Sequence, residues 1–339
     1  MLQRRLLVTG LLGLAALPAS LAAPAVRRAQ AQVPVGPAAG AWPDHPPRWV
    51  VGYPPGGASD VFARLIGHEM GLGLGQNVVM ENRPGGGAVL ASDLVARAAP
   101  DGYTWLHADN GNLVYNPALY AHLPYDPDRD LAGVGFIGRF PLFLAVRADS
   151  PHRTFHDYVT AARARPPTYG SPAVASPHHL AMEMLRRRAG NFPAEHVPYR
   201  GAPAAMQDLV AGTVDSVVVD SATGIPFLRD GSARALLVLS EHRSAAAPEV
   251  PTALELAIPD AVAYGWQALA VPAATPAPLL ERLNAALNRA VASPVAQSRM
   301  GPLGIESEAM TVPGFAAMVA ADSARWRPLI RELGIRLDS

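Results

Sequence analysis

The residues best placed to do chemistry in this chain are small ones. Positions 49–64 read Trp-Val-Val-Gly-Tyr-Pro-Pro-Gly-Gly-Ala-Ser-Asp-Val-Phe-Ala-Arg. An apolar run enters a Pro/Gly turn and leaves it as a helix. Amide N–H groups at a helix start lack intrahelical acceptors and sit at the positive end of the helix dipole, so such a turn suits an anion. The pattern recurs at Asn82-Arg83-Pro84-Gly85-Gly86-Gly87, at Ser171 to Ser176-Pro177, and at Arg200-Gly201-Ala202-Pro203. Tyr53, Pro55, Gly56, Gly57, Ser59 and Asp60 are the expected ligand contacts of the first turn, with Gly86 from the second and Asn110 nearby. Ser171, Ser176 and His179 are those of the third. Read more blandly, any tight strand-to-helix turn uses glycine, Ser176 caps a helix, and His178-His179 is a surface pair. Asp220 ends the apolar run Val217-Val218-Val219. A carboxylate there caps or organises loop N–H groups, since it would repel an anionic ligand.

Sequence signatures of other chemistries are missing. The 339 residues contain no Gly-x-Ser-x-Gly elbow, no P-loop and no His-Glu-x-x-His. The ten histidines lack metal-ligand spacing, and no cysteine is present, which excludes disulfides and thiolate sites. Neither a metal nor a cofactor is expected. Gly71-Leu72-Gly73-Leu74-Gly75 falls at a helix end rather than after a strand, so a dinucleotide reading fails. Ser176 with His179 is the one pair a hydrolase could use, and it lacks an orienting third group. All 28 cations are arginines, four of them within the first 31 residues, leaving 24 against 28 acids, a net of −4. Nothing in that balance points to nucleic acid.

The first 31 residues form a targeting segment. Arg4-Arg5 precede an uncharged Leu/Ala stretch, and Ala29-Gln30-Ala31 is a small-x-small cleavage site. The paired arginines leave both the twin-arginine and the general secretion route open. A Pro/Ala/Gly leader over 32–47 follows.

The elements that must position these turns alternate. Buried strands are expected at 49–53, 77–81, 104–108, 168–170, 196–199, 216–220 and 235–239, and one or two more at 133–146, broken by Arg139-Phe140-Pro141. Helices are expected at 61–70, 88–98, from Ser176-Pro177 onward, and at 204–211, 279–292 and 312–333. Such alternation means α/β with mostly parallel sheets, and two runs of it mean two lobes. Ligands in open α/β sheets sit beyond the carboxyl ends of strands, where all four turns fall.

Residues 53–64 resemble the first signature of the Bug family, the periplasmic solute-binding proteins of tripartite tricarboxylate transporters. Further matches follow in order: Asn82-Arg83-Pro84-Gly85, Pro100-Asp101-Gly102-Tyr103-Thr104, Asn116-Pro117-Ala118-Leu119-Tyr120, Leu123-Pro124-Tyr125-Asp126-Pro127, Tyr169-Gly170-Ser171, Ser176-Pro177-His178-His179-Leu180 and His196-Val197-Pro198-Tyr199-Arg200-Gly201. The resemblance implies a two-lobed, Venus-flytrap periplasmic binding fold of the type II kind, with two crossover strands near 143–147 and 266–271. It places one lobe at 48–144 and 267–339 and the other at 145–266. It also implies a monomeric receptor in the periplasm, cleaved near Ala31, with no catalytic activity. Such a receptor closes on a small carboxylate (a di- or tricarboxylate, an amino acid or an aromatic acid) and delivers it to large and small membrane subunits. A sensor-kinase receptor and a Ser176/His179 hydrolase are the alternatives. The grip implied is by loop N–H groups and waters rather than an arginine clamp.

Four alanines depart from the family pattern: Ala88, Ala91, Ala173 and Ala175 stand where glycine is usual, and alanine disfavours positive φ. Asp109 stands where a small hydroxyl residue is common. Facing the cleft, it would favour a ligand with one carboxylate and a donor group over a citrate-like one; facing away, it caps.

Overall fold

The computed structural model describes residues 42–56 and 58–337. The targeting segment and Gly57 lie outside the described residues. In chain order, β1 (Arg48–Val51), α1 (Ala58–Leu74), β2 (Val79–Asn82), α2 (Val89–Ala96) and β3 (Thr104–Asp109) come first. A π-helical turn at Gly111–Tyr115 and short helices α3 (Asn116–Leu119) and α4 (Pro127–Asp130) lead into β4 (Leu131–Arg147). The middle runs α5 (Phe155–Ala164), β5 (Thr168–Ser171), α6 (Pro177–Arg188), β6 (Glu195–Pro198), α7 (Ala202–Ala211), β7 (Ser216–Asp220), α8 (Ser221–Arg229) and β8 (Ala233–Val238). Then come β9 (Tyr264–Pro272), α9 (Ala277–Val291), α10 (Pro294–Met300) and α11 (Val312–Leu333). No helix among the described residues is long and apolar enough to cross a membrane.

The strands pair in the order β2-β1-β3-β9-β4-β7-β5-β6, with β8 also on β4. The β1, β2 and β3 strands are mutually parallel, as are β5, β6 and β7. This is the two-lobed α/β fold, and β4 belongs to both lobes. Its residues Leu131 to Pro141 pair with β9, and Leu142 to Arg147 pair with β7 and β8. The expected break at Arg139-Phe140-Pro141 does not occur; one strand of 17 residues runs straight through. Proline lacks a ladder N–H, so a strand interior normally excludes it. Pro141 sits where the strand changes partners, the one place where a missing donor is harmless.

Apolar periodicity fixes how the helices pack. On α1, Phe62, Ile66 and Met70 recur every four residues and are buried. Val61, expected on that face, is exposed, because it lies about 100° around the helix from Phe62. Beneath α1, Trp49 meets Trp105 edge-on at 5.8 Å. The core of the second lobe gathers Phe143, Val217, Val219, Met206 and Leu209 between sheet and helices. Beyond the single-turn helices α3 and α4, three helices escaped the sequence reading. One is α5, whose start is a capping box: Thr154 Oγ1 accepts from the Asp157 amide and Asp157 accepts from the Thr154 amide. The others are α8 and α10, capped by Asp220 and Ser293.

Two of the unusual alanines adopt the left-handed conformation that glycine favours: Ala88 at φ 65° and Ala175 at φ 59°. A Cβ in that region costs about 1–2 kcal/mol, whereas glycine's extra freedom in the unfolded chain costs about 0.5–1 kcal/mol. Ala175→Gly is therefore expected to leave the urea midpoint unchanged or raise it slightly. A loss of stability above about 1 kcal/mol would rule out the strained turn.

Candidate functional site

The carboxyl ends of both sheets converge on one stretch of β4. Asp109, ending β3, pairs with Gln267 of β9, which pairs with Gly138 of β4. Asp220, ending β7, pairs with Leu142 of β4. Four residues of one strand, about 13 Å, separate the two levels. The strands that lead into these turns, β1 and β3 on one lobe and β5 and β7 on the other, thus all end towards this stretch of β4.

In the first lobe, Asp60 is an organiser. Its Oδ2 accepts from the Gly56 amide (2.9 Å) and Arg64 Nε (2.9 Å), and its Oδ1 accepts from Asn82 Nδ2 (2.9 Å). Asn82 Nδ2 also donates to the Tyr53 carbonyl at 3.0 Å. Burial alone would raise the Asp60 pKa, but Arg64, the Gly56 amide and Asn82 outweigh it and hold the carboxyl at about 2. The Gly56 N–H, expected to face a ligand, is thus donated inward. Gly56 is needed for its φ of 80°, and a Cβ there would meet nothing. Pro55 is exposed at the tip, and Ser59 is nearly buried with no hydrogen-bond partner among the described residues. Gly86 adopts φ 51°, and its carbonyl accepts from Tyr120 Oη at 2.9 Å.

Asp109 faces inward and caps. Tyr53 Oη donates to its Oδ2, the Asn112 amide donates to its Oδ1 at 3.0 Å, and the Asp109 amide donates to Asn112 Oδ1 at 2.9 Å. Both carboxylate oxygens are engaged inside the protein, so neither is free to accept from a ligand. Burial raises its pKa even so. Asn110 ties the turn to β9: its Oδ1 accepts from the Trp266 amide (2.8 Å), and its Nδ2 donates to the Tyr264 carbonyl (3.3 Å).

In the second lobe, Ser171 Oγ and Ser176 Oγ both donate to the Ala173 carbonyl, at 3.0 and 2.8 Å. Ser176 Oγ also caps α6 by accepting from the His179 amide at 3.3 Å. His179 Nδ1 accepts from the Ala175 amide at 2.9 Å. The Ser176 hydroxyl and the His179 ring are therefore not hydrogen-bonded to each other, and the nucleophile pair is not assembled. His179 stacks on His196 with centroids 3.8 Å apart, and Tyr169 packs beside both rings, 5.0 Å from His196 and 6.3 Å from His179. His178 is buried, not at the surface, with Nε2 3.3 Å from Asp220 Oδ2. Asp220 also accepts from the Thr223 amide at 2.8 Å, which makes it the α8 cap. Sequence reading missed His178 and His196. The contact of His196 with Ser171 (2.7 Å) is between neighbouring strands and leaves no local signal.

Two buried imidazoles set an acid limit on stability. Burial, first of all, depresses His107 to about 4, and burial with the neighbouring His196 does the same for His179. In the unfolded chain each takes a proton near pH 6.5, so between about 6.5 and 4 the unfolded state binds more protons. Stability is full above that window and falls as pH drops through it, by about 3 kcal/mol per group. The raised Asp109 pKa acts in the opposite direction. Melting temperature is expected to fall from pH 7 to 4.5, and His107→Gln to flatten that slope. An unchanged slope would contradict the assignment.

A two-lobed α/β chain whose strand-end turns converge at the lobe boundary has the build of a solute-binding protein. Residues 62–335 match the model of the tripartite tricarboxylate transporter family receptor, and the chain belongs to that family. A UPF0065 protein of Pseudomonas sp. strain P51 is 38% identical over 295 residues, 86% of this chain and 87% of the relative. Among solved structures, R. palustris Rpa4515 with adipate superposes with TM-score 0.79 at 29% identity, covering 87% of this chain and all of that one. MatC from Rhodopseudomonas palustris with bound malate gives 0.76 at 30%, over 85% of this chain and 100% of its own. The periplasmic binding protein BugD gives 0.76 at 27%, over 87% and 100%.

Proposed function

We propose that this receptor captures a small carboxylate between its lobes in the periplasm, after export and cleavage near Ala31. It hands the ligand, as a monomer and without chemistry, to the large and small membrane subunits of a tripartite transporter. The lobes pivot where the chain passes Pro141 to Leu142 and Ala263 to Tyr264. One lobe spans approximately 48–144 with 267–339, and the other 145–266. The observation that carries this reading is that the ends of β3 and β7, with β1 and β5 alongside them, fall four residues apart in the register of β4. Two helix N-termini open there, α1 beside Ser59 and α6 beside His179, each favouring an anion. The malate and adipate seated in structural relatives support the ligand class. A carboxylate accepting two or three bonds of about 1.5–3 kcal/mol each approaches the roughly −8 kcal/mol of micromolar binding.

The test is calorimetry on residues 32–339 with di- and tricarboxylates, amino acids and aromatic acids. Micromolar binding of at least one carboxylate is expected. Failure of the whole panel, together with a purified protein carrying no small acid by native mass spectrometry, would overturn the reading.

A further inference from the structure

Hydrogen-bond donors in the second lobe are fewer than its serines imply. The Ser171 and Ser176 hydroxyls both point their protons at the Ala173 carbonyl, and each oxygen has a further partner in the protein, His196 Nε2 for Ser171 and the His179 amide for Ser176. His179 is different. The Ala175 amide, turned inward by its left-handed backbone, donates to Nδ1. That amide has only a donor to give, so Nδ1 must be the bare nitrogen and Nε2 must carry the proton. Nε2 has no hydrogen-bond partner among the described residues, although His179 is only 7% exposed. Turning the ring over would keep its stack on His196 but put Cδ2 in place of Nδ1 and leave the Ala175 amide unpaired.

We propose that His179 is a single-tautomer donor, its Nε2–H held by the Ala175 turn to grip one end of the ligand, so that the second lobe takes an ionised carboxylate there and disfavours an amide or ammonium. This rests on the carboxylate-receptor reading above and sharpens it. A carboxylate accepts through charged oxygens, whereas an amide accepts more weakly and brings an N–H₂ that must find its own acceptor. An ammonium is donor-only and meets a donor. Asp109 is turned inward onto Tyr53 and Asn112, so its oxygens are spent on the turn and are not free to accept from a ligand ammonium or amide. The favoured ligand is thus a diacid.

Two substitutions divide the ring's duties. His179→Asn keeps an acceptor near the Nδ1 position for the Ala175 amide and deletes the far donor. His179→Gln restores an N–H near the Nε2 position. Calorimetry would use malate, adipate and adipate monoamide. The wild type is expected to prefer the diacid to its monoamide by about 10- to 100-fold. His179→Asn should lose a similar factor for the diacid, and His179→Gln should recover most of it. In ¹⁵N-histidine spectra, His179 should show protonated Nε2 and bare Nδ1, with Nε2–H moving on diacid addition. Equal loss in both variants, unchanged diacid affinity in His179→Asn, or a protonated Nδ1 would overturn the inference while the receptor reading stood. Absence of any carboxylate binding by the wild type would overturn both.

Discussion

Asp60→Ala is expected to weaken carboxylate binding by at least about 100-fold and to cost about 2–3 kcal/mol of stability. The carboxylate holds the Gly56 amide, Arg64 and Asn82 at once, and Asn82 in turn holds the Tyr53 carbonyl. Its removal leaves a loop amide and a side-chain amide without acceptors, and the 53–56 turn loses the anchor that gives it one shape. With a folded pKa of about 2 against an unfolded value near 4, the contribution is complete above about pH 4 and fades as pH falls towards 2. Asn at this position retains an acceptor for Gly56 but turns an N–H₂ towards donors, so Asp60→Asn should fall close to alanine. Calorimetry and urea unfolding read both effects. Binding within about threefold of wild type, with an unshifted midpoint, would show that the turn holds its shape without Asp60.

Gly265→Ala should be nearly as damaging, through packing instead of charge. Gly265 lies directly across from Phe140 in the β4–β9 ladder, one residue from where β4 changes lobes. A Cβ on Gly265 would overlap the buried Phe140 ring. Forcing a methyl into such a place costs typically about 1–3 kcal/mol. Here it also displaces the strands about which the lobes pivot, so affinity should drop together with stability. Pairing it with Phe140→Leu, which vacates the ring, should return more than half of the lost stability. A double mutant no better than the sum of the singles would show that the clash lies elsewhere.

What the chain discloses locally is its alternation. Val217-Val218-Val219 before Asp220 reads as a buried strand because a parallel strand is covered on both faces. Ser176-Pro177 reads as a helix start because the two residues do complementary jobs there. The turns of the candidate site were visible for the same reason. Their donors were not. Whether the Gly56 amide faces a ligand depends on a carboxylate four residues on, and the fate of Asp109 depends on a phenol 56 residues earlier. The tautomer of His179 depends on an alanine whose φ is positive, against its own preference. Passage of β4 through Pro141 was hidden because propensity marks proline as a break, and only the change of neighbouring strand makes it tolerable.

The position of β9 has a consequence for how the molecule is made. It is an interior strand of the first lobe, lying between β3 and β4, yet it is translated after the entire second lobe. The three strands from the amino-terminal third therefore wait with an open flank until residue 272 has left the ribosome. Wide sequence separation of that kind slows closure and keeps an emerging chain in an extended, handleable form. Whichever half is older in the chain, the younger one must be complete before it can be finished.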